Sequence, residues 1–504
     1  MQAYWTVCCW VVLALAGCGG GGGGGTAELT PEKTSTELAQ ICSVDNVLSA
    51  YASSATQKGT LTDERNWGKA YLQERYFWYK DIPAVNANDA QFNLSNGSPW
   101  QNFANSLSNY FHAQLTPKHT ASGAPVDKFS FVLDTYSWNQ FSQGEELGYG
   151  WLLSEQGVGS ARRLWVSYVY PISQVGLAAQ KGLKRGDEIV GVDGYAVNVP
   201  ANATSVDQGL APVVGGIHSF VVKRQGQTNT ETVFLTASTT VLPQAEHKVV
   251  TDSQGVKWGY LLFNSHVTSA QAPLLAALRD FKAQQIDQMV MDLRYNGGGY
   301  LALASALAYG VAGPARTQSK TFEMLRHNDK RVSENESMPF LSTDLEGRAI
   351  DALSLPKIYV LTTDETCSAS ESIINGLRGV DVEVVQIGGT TCGKPYGFVP
   401  QDNCGITYAA MEFEGVNNKG LGGYADGFVP QCAASDDLLH ALGDTNEAMF
   451  ATAIARHRGL ACASVAASRA LGSTGLNGTL SGGRKLLRPE WQNGKILSRA
   501  RHGA

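Results

Sequence analysis

Two residues of the 504-residue sequence, Ser368 and Lys394, have the types and the spacing that nucleophilic catalysis needs. The pattern predicts a β-strand over 357–362, a short polar turn, and a helix opened by Thr366-Cys367-Ser368-Ala369-Ser370-Glu371. A second strand over 382–387 runs into Gly388-Gly389-Thr390-Thr391-Cys392-Gly393-Lys394-Pro395. A serine at a helix N-terminus and a lysine after the next strand can meet at one edge of a sheet. A hydroxyl is a weak nucleophile until a base takes its proton, and a lysine can do so only while neutral. Burial would have to lower the lysine from its ordinary pKa of about 10.4, because desolvation disfavours the ammonium. Plainer readings compete. Ser368 and Glu371 fit a Ser-x-x-Glu capping box, which alone explains the serine, and Lys394 taken singly reads as a surface lysine.

Two glycine motifs admit a nucleotide reading. Gly388 to Lys394 fits G-x-x-x-x-G-K after a strand, but Pro395 follows. Proline brings neither a hydroxyl for magnesium nor an N–H for phosphate, and Tyr396-Gly397-Phe398-Val399-Pro400 does not continue as a helix. Gly297-x-Gly299-x-x-Ala302 matches a dinucleotide fingerprint only formally, deep in the chain. No cofactor is expected. No Cys-x-x-Cys pair or Cys/His cluster has zinc-ligand spacing, so no metal is expected either.

The elements around these residues define the organisation. Strands over 256–263, 288–294, 357–362, 382–387 and 406–413 alternate with helices over 269–281 and 300–308, which predicts an α/β domain with a largely parallel sheet over 245–460. Sites in such sheets lie beyond the carboxyl ends of the strands, where the turns at 297–299, 368 and 394 fall. Residues 27–140 read as a helical N-terminal domain. It has helix starts at Thr62-Asp63-Glu64-Arg65 and Ser98-Pro99 and an aromatic stripe of Trp67, Tyr71, Trp78 and Tyr79, read as packing rather than as a ligand platform. Residues 141–240 turn to short strands and glycine turns, including Leu147-Gly148-Tyr149-Gly150-Trp151 and Gly182-Leu183-Lys184-Arg185-Gly186-Asp187. Residues 463–504 are rich in Ser, Gly and Arg, and a low-complexity, mostly disordered tail is expected. Leu486 and Leu487 are among the few residues there able to dock.

Three resemblances sharpen this reading. The 141–240 unit resembles a PDZ domain, which implies that backbone N–H groups of Gly148, Tyr149 and Gly150 receive a peptide carboxylate while the peptide adds as a strand. Asp292-Leu293-Arg294-Tyr295-Asn296-Gly297-Gly298-Gly299, Cys367-Ser368-Ala369-Ser370-Glu371 and Gly393-Lys394 resemble, in order, the motifs of the carboxyl-terminal processing (tail-specific) peptidases. That family resemblance spans roughly residues 60 to 460. It implies a crotonase-like α/β core with Ser368 as nucleophile, Lys394 as base, and backbone N–H groups of Ala369 and Gly298 as oxyanion donors. Two positions depart from the family pattern: Phe398 stands where many relatives carry glutamine, and Pro395 replaces the usual glycine. Gln401 or Asn403 are candidates to take over the role of that glutamine. If Ser368 and Lys394 meet, Cys367 and Cys392 come near enough to bridge, leaving Cys404 and Cys432 to close the loop containing Gly420 and Gly423. The rival reading makes Cys367 a free thiol or the nucleophile itself. The expected activity is endopeptidase action on polypeptides, and the alternative is an inactive peptide-binding scaffold with the same fold. A hydrolase of small esters or amides would not need the PDZ-like unit.

The third resemblance lies at the N-terminus. Residues 4–17 are apolar but too short to span a bilayer, and Leu15-Ala16-Gly17-Cys18 resembles a bacterial lipoprotein cleavage box. It implies a signal peptide over 1–18, lipid on Cys18, a glycine tether over 19–26, and a protein anchored to a membrane of the cell envelope, facing the periplasm. No Lys or Arg precedes Lys33, a departure from the usual basic n-region. Of nine cysteines, Cys42, Cys367, Cys392, Cys404, Cys432 and Cys462 would remain in an oxidising compartment, and six allow 15 disulfide connectivities. A formal net charge of −6 gives no basic footprint for nucleic acid.

Overall fold

The computed structural model describes residues 33–172, 174, 176–211, 213–462 and 484–487. The predicted signal peptide, Cys18 and the glycine tether lie outside the described residues, as does most of the predicted tail. The chain is a multidomain α/β protein with mixed sheets. At its centre a six-stranded sheet runs, edge to edge, through Ala245–Thr251, Lys257–Phe263, Gln288–Asp292, Lys357–Thr362, Glu383–Gly388 and Cys432–Ala433. Every pair after the first is parallel.

The inner strands Lys257–Phe263, Gln288–Asp292 and Lys357–Thr362 are near-continuous apolar runs because both faces are covered. On one face lie the helices Gln271–Gln284, Leu301–Ala312 and Ala369–Gly379, which bring Leu274, Leu278, Leu303, Leu307, Ile373 and Leu377 onto Met289, Met291, Ile358 and Val360. On the other face Trp258, Tyr260, Tyr359 and Leu361 pack against Met449, Phe450 and Ala453 of the helix Ala448–His457. Tyr168 and Tyr170 of the preceding β unit join the same cluster. All the parallel strands point their carboxyl ends at one rim.

The β unit is an antiparallel sheet ordered Thr230–Thr236, Ile217–Lys223, Glu188–Val192, Arg163–Val169, Trp151–Gln156, with the helix Ala203–Leu210 beside it. It is joined to the central sheet through charge. Arg294, fully buried, pairs with Asp292 at 2.8 Å, Glu447 at 2.8 Å and Asp436 at 2.7 Å. Arg185 of the β unit reaches the same Asp436 and the Tyr295 hydroxyl, the latter at 2.6 Å. Burial opposes a charge on Asp436, but the guanidinium groups of Arg185 and Arg294 outweigh it and hold the carboxyl well below its usual range.

The N-terminal helices start at the predicted caps. Thr60 and Asp63 form a capping box for Leu61–Arg75, and Ser98 and Gln101 form another for Pro99–His112, with proline in the first turn. Trp67 and Tyr71 pack on Tyr408 of the central domain, as the packing reading of that stripe requires. Trp78 and Tyr79 fall beyond the helix end at Arg75. This domain is not purely helical: Phe131–Asp134 pairs antiparallel with Ile406–Ala409, and Cys42 is bonded to Cys404.

Three expectations are corrected. The strand predicted over 406–413 is two, Ile406–Ala409 and Phe413–Val416. Between them Glu412, buried, turns to meet Arg75 at 3.1 Å and Arg331 at 2.6 Å, so the chain leaves one sheet and enters another. Cys404 and Cys432 do not close the glycine loop, because their partners are Cys42 and Cys462. Within the predicted disordered tail, Lys485–Leu486 is a strand paired with Trp151–Gln156.

Candidate active site

The carboxyl ends of the parallel strands open onto a cavity of about 580 Å³. Ser368, Lys394, Gly298 and His266 all line it, with Phe131, Trp138, Phe141, Tyr396 and Phe398 forming an apolar wall. Ser368 and Lys394, which lie 26 positions apart in sequence, are therefore brought to one cleft.

Ser368 is the residue before the helix Ala369–Gly379 and has φ +56° and ψ −117°. A non-glycine residue with positive φ is strained and persists only where its surroundings hold it. Here Cys367 N–H donates to Asn296 O at 3.0 Å, and Ser368 N–H donates to Glu371 Oε2 at 2.9 Å. Asn296, from the D-L-R-Y-N-G-G-G stretch, is the anchor. Its Nδ2 donates to Phe263 O at 2.9 Å, and its carbonyl also accepts from Ser370 Oγ at 3.1 Å. The motif thus divides its labour: Asp292, Arg294 and Tyr295 hold the ion network, Asn296 ties two turns together, and the glycines permit close approach.

Gly298 is where that approach is tightest. Its φ is +101°, and a Cβ built there would lie 2.8 Å from Ser368 Cβ and 3.0 Å from Ala369 N. Neither the space nor the backbone conformation suits a side chain. Gly298→Ala is expected to displace the Ser368 turn, lowering any turnover that depends on Ser368 by at least about a hundredfold while costing about 1–3 kcal/mol of stability. Side-by-side turnover and thermal unfolding would check this.

Of the two oxyanion candidates, Ala369 N is the first helical amide after Ser368. The Gly298 N–H is directed to Asn296 Oδ1 at 2.9 Å. It would serve an oxyanion only after that bond opens.

Glu371 carries more than a helix cap. Fully buried, it accepts from Ser368 N–H, from Thr391 Oγ1 at 2.5 Å, from Gly393 N–H at 2.9 Å and from Lys394 N–H at 2.8 Å. Burial raises its pKa, against these hydrogen bonds, which favour the carboxylate. One side chain therefore fixes the nucleophile's turn and the lysine's loop in a common frame. The Cys367–Cys392 disulfide spans the same gap, which removes the free-thiol reading of Cys367. With their sulfurs bonded, these cysteines are not available as metal ligands beside Glu371.

Lys394 Nζ lies 5.3 Å from the Phe129 ring centroid and 5.1 Å from that of Phe398. Burial pushes its pKa down to about 8, against the opposing charges of Asp127 and Glu371. Among the described residues no hydrogen bond joins Ser368 Oγ to Lys394 Nζ. Such contacts are commonly long before substrate arrives. Phe398, at the glutamine position, packs on Phe131 and Trp138 at 5.4 and 5.8 Å and completes the lysine's aromatic surround. Gln401 and Asn403 do not take the glutamine's place: neither lines the cleft, and Asn403 Oδ1 accepts from Gln40 N–H at 2.7 Å.

Sequence reasoning overlooked four contributors. Asp127 and Phe129 come from the N-terminal domain, and Lys128 Nζ donates to Cys392 O at 3.0 Å beside them. No local pattern marks this long-range cover. His266 is the fourth. Its Nδ1 lies 3.0 Å from Asn296 Oδ1, and since Asn296 Nδ2 is a donor to Phe263 O, that ring nitrogen carries the proton. Burial lowers its pKa to about 3, against the hydrogen bonds to Asn296 and Gly298, so the ring is neutral.

Gly148, the last residue of the strand Glu145–Gly148, and the turn residues Tyr149 and Gly150 lead into the strand Trp151–Gln156. Tyr149 is buried with its hydroxyl donating to Gly209 O at 3.0 Å, and Gly150 has φ +76° against Leu177. Glu145, Glu146, Trp151 and Leu152, on either side of this turn, line the Ser368 cleft.

Comparison with known proteins places these features. A candidate S41 protease from Bacteroides fragilis NCTC 9343 aligns at 23% identity with a TM-score of 0.59, covering 78% of this chain and 97% of that one, and shares its fold. The photosystem II D1 C-terminal processing protease aligns at 18% identity and TM-score 0.43, covering 77% and 95%. No curated protein matches the sequence. Residues 257–401, which include the glycine turn, Ser368 and Lys394, match the profile of Peptidase family S41.

Proposed function

We propose that the protein is a serine endopeptidase in which Ser368 is the nucleophile and Lys394 the general base. The observation that carries this reading is the convergence of a strained serine and a pKa-lowered lysine on one apolar cleft, joined through Glu371. Neutral Lys394 takes the Ser368 Oγ proton as Oγ bonds to the scissile carbonyl carbon. The oxyanion gains the Ala369 N–H and the helix dipole. The lysine ammonium then protonates the leaving amine nitrogen as the C–N bond breaks. Water, deprotonated by the same lysine, releases the acyl group, and Oγ recovers its proton.

Extended polypeptides are the proposed substrates, captured by strand addition along the Trp151–Gln156 edge of a PDZ-like unit. Three disulfides favour an oxidising compartment, consistent with export and with lipid attachment at Cys18. Among the described residues, no helix is long and apolar enough to cross a membrane.

The test incubates wild type and Lys394→Ala with an unfolded protein bearing a free apolar tail and reads the products by mass spectrometry. Cleavage by wild type alone supports the reading. Binding without cleavage by either protein would make an inactive scaffold the better account.

A further inference from the structure

The outer strand of the β unit, Trp151–Gln156, does not end its sheet as a bare edge. Lys485–Leu486 lies against it antiparallel, with Lys485 opposite Glu155 and Leu486 opposite Ser154, and Leu487 N–H donates to Leu153 O at 2.9 Å. The segment runs toward the Gly148–Gly150 turn, the polarity of a peptide entering that turn from the strand side. Leu487 packs on the β-unit core, as Trp151 and Leu210 also do.

The same four residues also touch the central domain. Leu486 N–H donates to Glu365 Oε1 at 3.2 Å, and the Arg484 guanidinium donates to the backbone carbonyl of Asp436, the carboxylate that joins Arg185 to Arg294. Leu486 and Leu487 are part of the wall of the cavity that holds Ser368. A single short segment therefore fills the sheet edge and narrows the cleft together.

We infer that residues 484–487 are an internal ligand that occupies the substrate-capturing edge and holds the peptidase in a self-occluded state. An unpaired edge is a template for any extended chain, and backbone hydrogen bonding there is largely indifferent to sequence. A tethered segment competes at a high effective concentration, so substrates must displace it. This inference rests on the reading of the edge as a peptide-capture site.

The test reads binding, not cleavage. A fluorescein-labelled peptide of residues 482–489 is titrated by anisotropy into the full chain carrying Ser368→Ala, with and without Leu487→Pro. Proline removes the N–H given to Leu153 O. If the edge is free about one-tenth of the time, Leu487→Pro tightens the peptide about tenfold. Equal affinity in the two proteins would overturn the inference. Amide exchange on the unsubstituted chain gives an independent check. The Leu487 amide should exchange slowly and be released by excess unlabelled peptide, whereas fast exchange without peptide would overturn the inference. Neither measurement needs peptidase activity, so a failed cleavage assay would count against the proposed function and leave this result standing.

Discussion

Ser368→Ala is expected to lower kcat/KM for an unfolded polypeptide by about 10⁵-fold, while affinity for an extended peptide should stay within about twofold. Removing the nucleophile of a serine peptidase typically leaves only the small rate that oxyanion and substrate binding provide. The fold should tolerate the change, because the Oγ lost is at the cleft and what holds the turn is backbone: the Ser368 N–H to Glu371 and the Cys367 N–H to Asn296. Alanine will pay for the positive φ about as serine does. Steady-state cleavage and peptide anisotropy on the two proteins check both halves. A cysteine nucleophile at 367 would instead leave Ser368→Ala active, but that sulfur is bonded to Cys392.

Lys394→Ala is expected to cost about a hundredfold to ten-thousandfold, the range for loss of a general base. The pH profile carries the sharper information. With the lysine pKa brought down to about 8 by burial, only about a tenth of it is neutral at pH 7 and about a hundredth at pH 6. The active form is the neutral amine, so kcat/KM should rise about tenfold per pH unit up to near pH 8 and then level off. Lys394→Arg should not rescue, since a guanidinium stays charged throughout this range. Phe398 contributes by keeping water from the amine. A smaller polar residue there should move the inflection of the profile upward toward the ordinary lysine value.

Much of this site could be read before the fold was known, for identifiable reasons. The strand Lys357–Thr362 was legible to the residue because a strand covered on both faces is an unbroken apolar run between turn residues. The Ser368–Glu371 spacing was legible as a cap, and Glu371 does accept the Ser368 N–H. What the cap reading missed is that the same carboxylate also receives Thr391, Gly393 and Lys394, contacts twenty or more residues away that no local pattern encodes. The Cys367–Cys392 pair followed once Ser368 and Lys394 were placed together, whereas Cys42–Cys404 depends on an N-terminal domain folding back onto the 406–409 strand. The break at 410–412 was hidden for a related reason. Ala410 and Met411 are as apolar as a strand requires, and only the distant Arg75 and Arg331 mark Glu412 as a crossing point between sheets. Leu486 and Leu487 stood out as isolated apolar residues in a polar tail, but the edge they join is more than three hundred positions away.

The most direct test of the central claim is covalent labelling of the reaction centre. The full chain would be treated with a phosphonofluoridate, which reacts with activated serine hydroxyls, and adducts would be located by peptide mass mapping between pH 6 and 10. A single adduct on Ser368, formed at a rate that rises through about pH 8 and is lost in Lys394→Ala, is the result expected from a half-buried, neutral lysine acting on that hydroxyl. Labelling at another residue, or at Ser368 with a rate indifferent to pH and to Lys394, would contradict it.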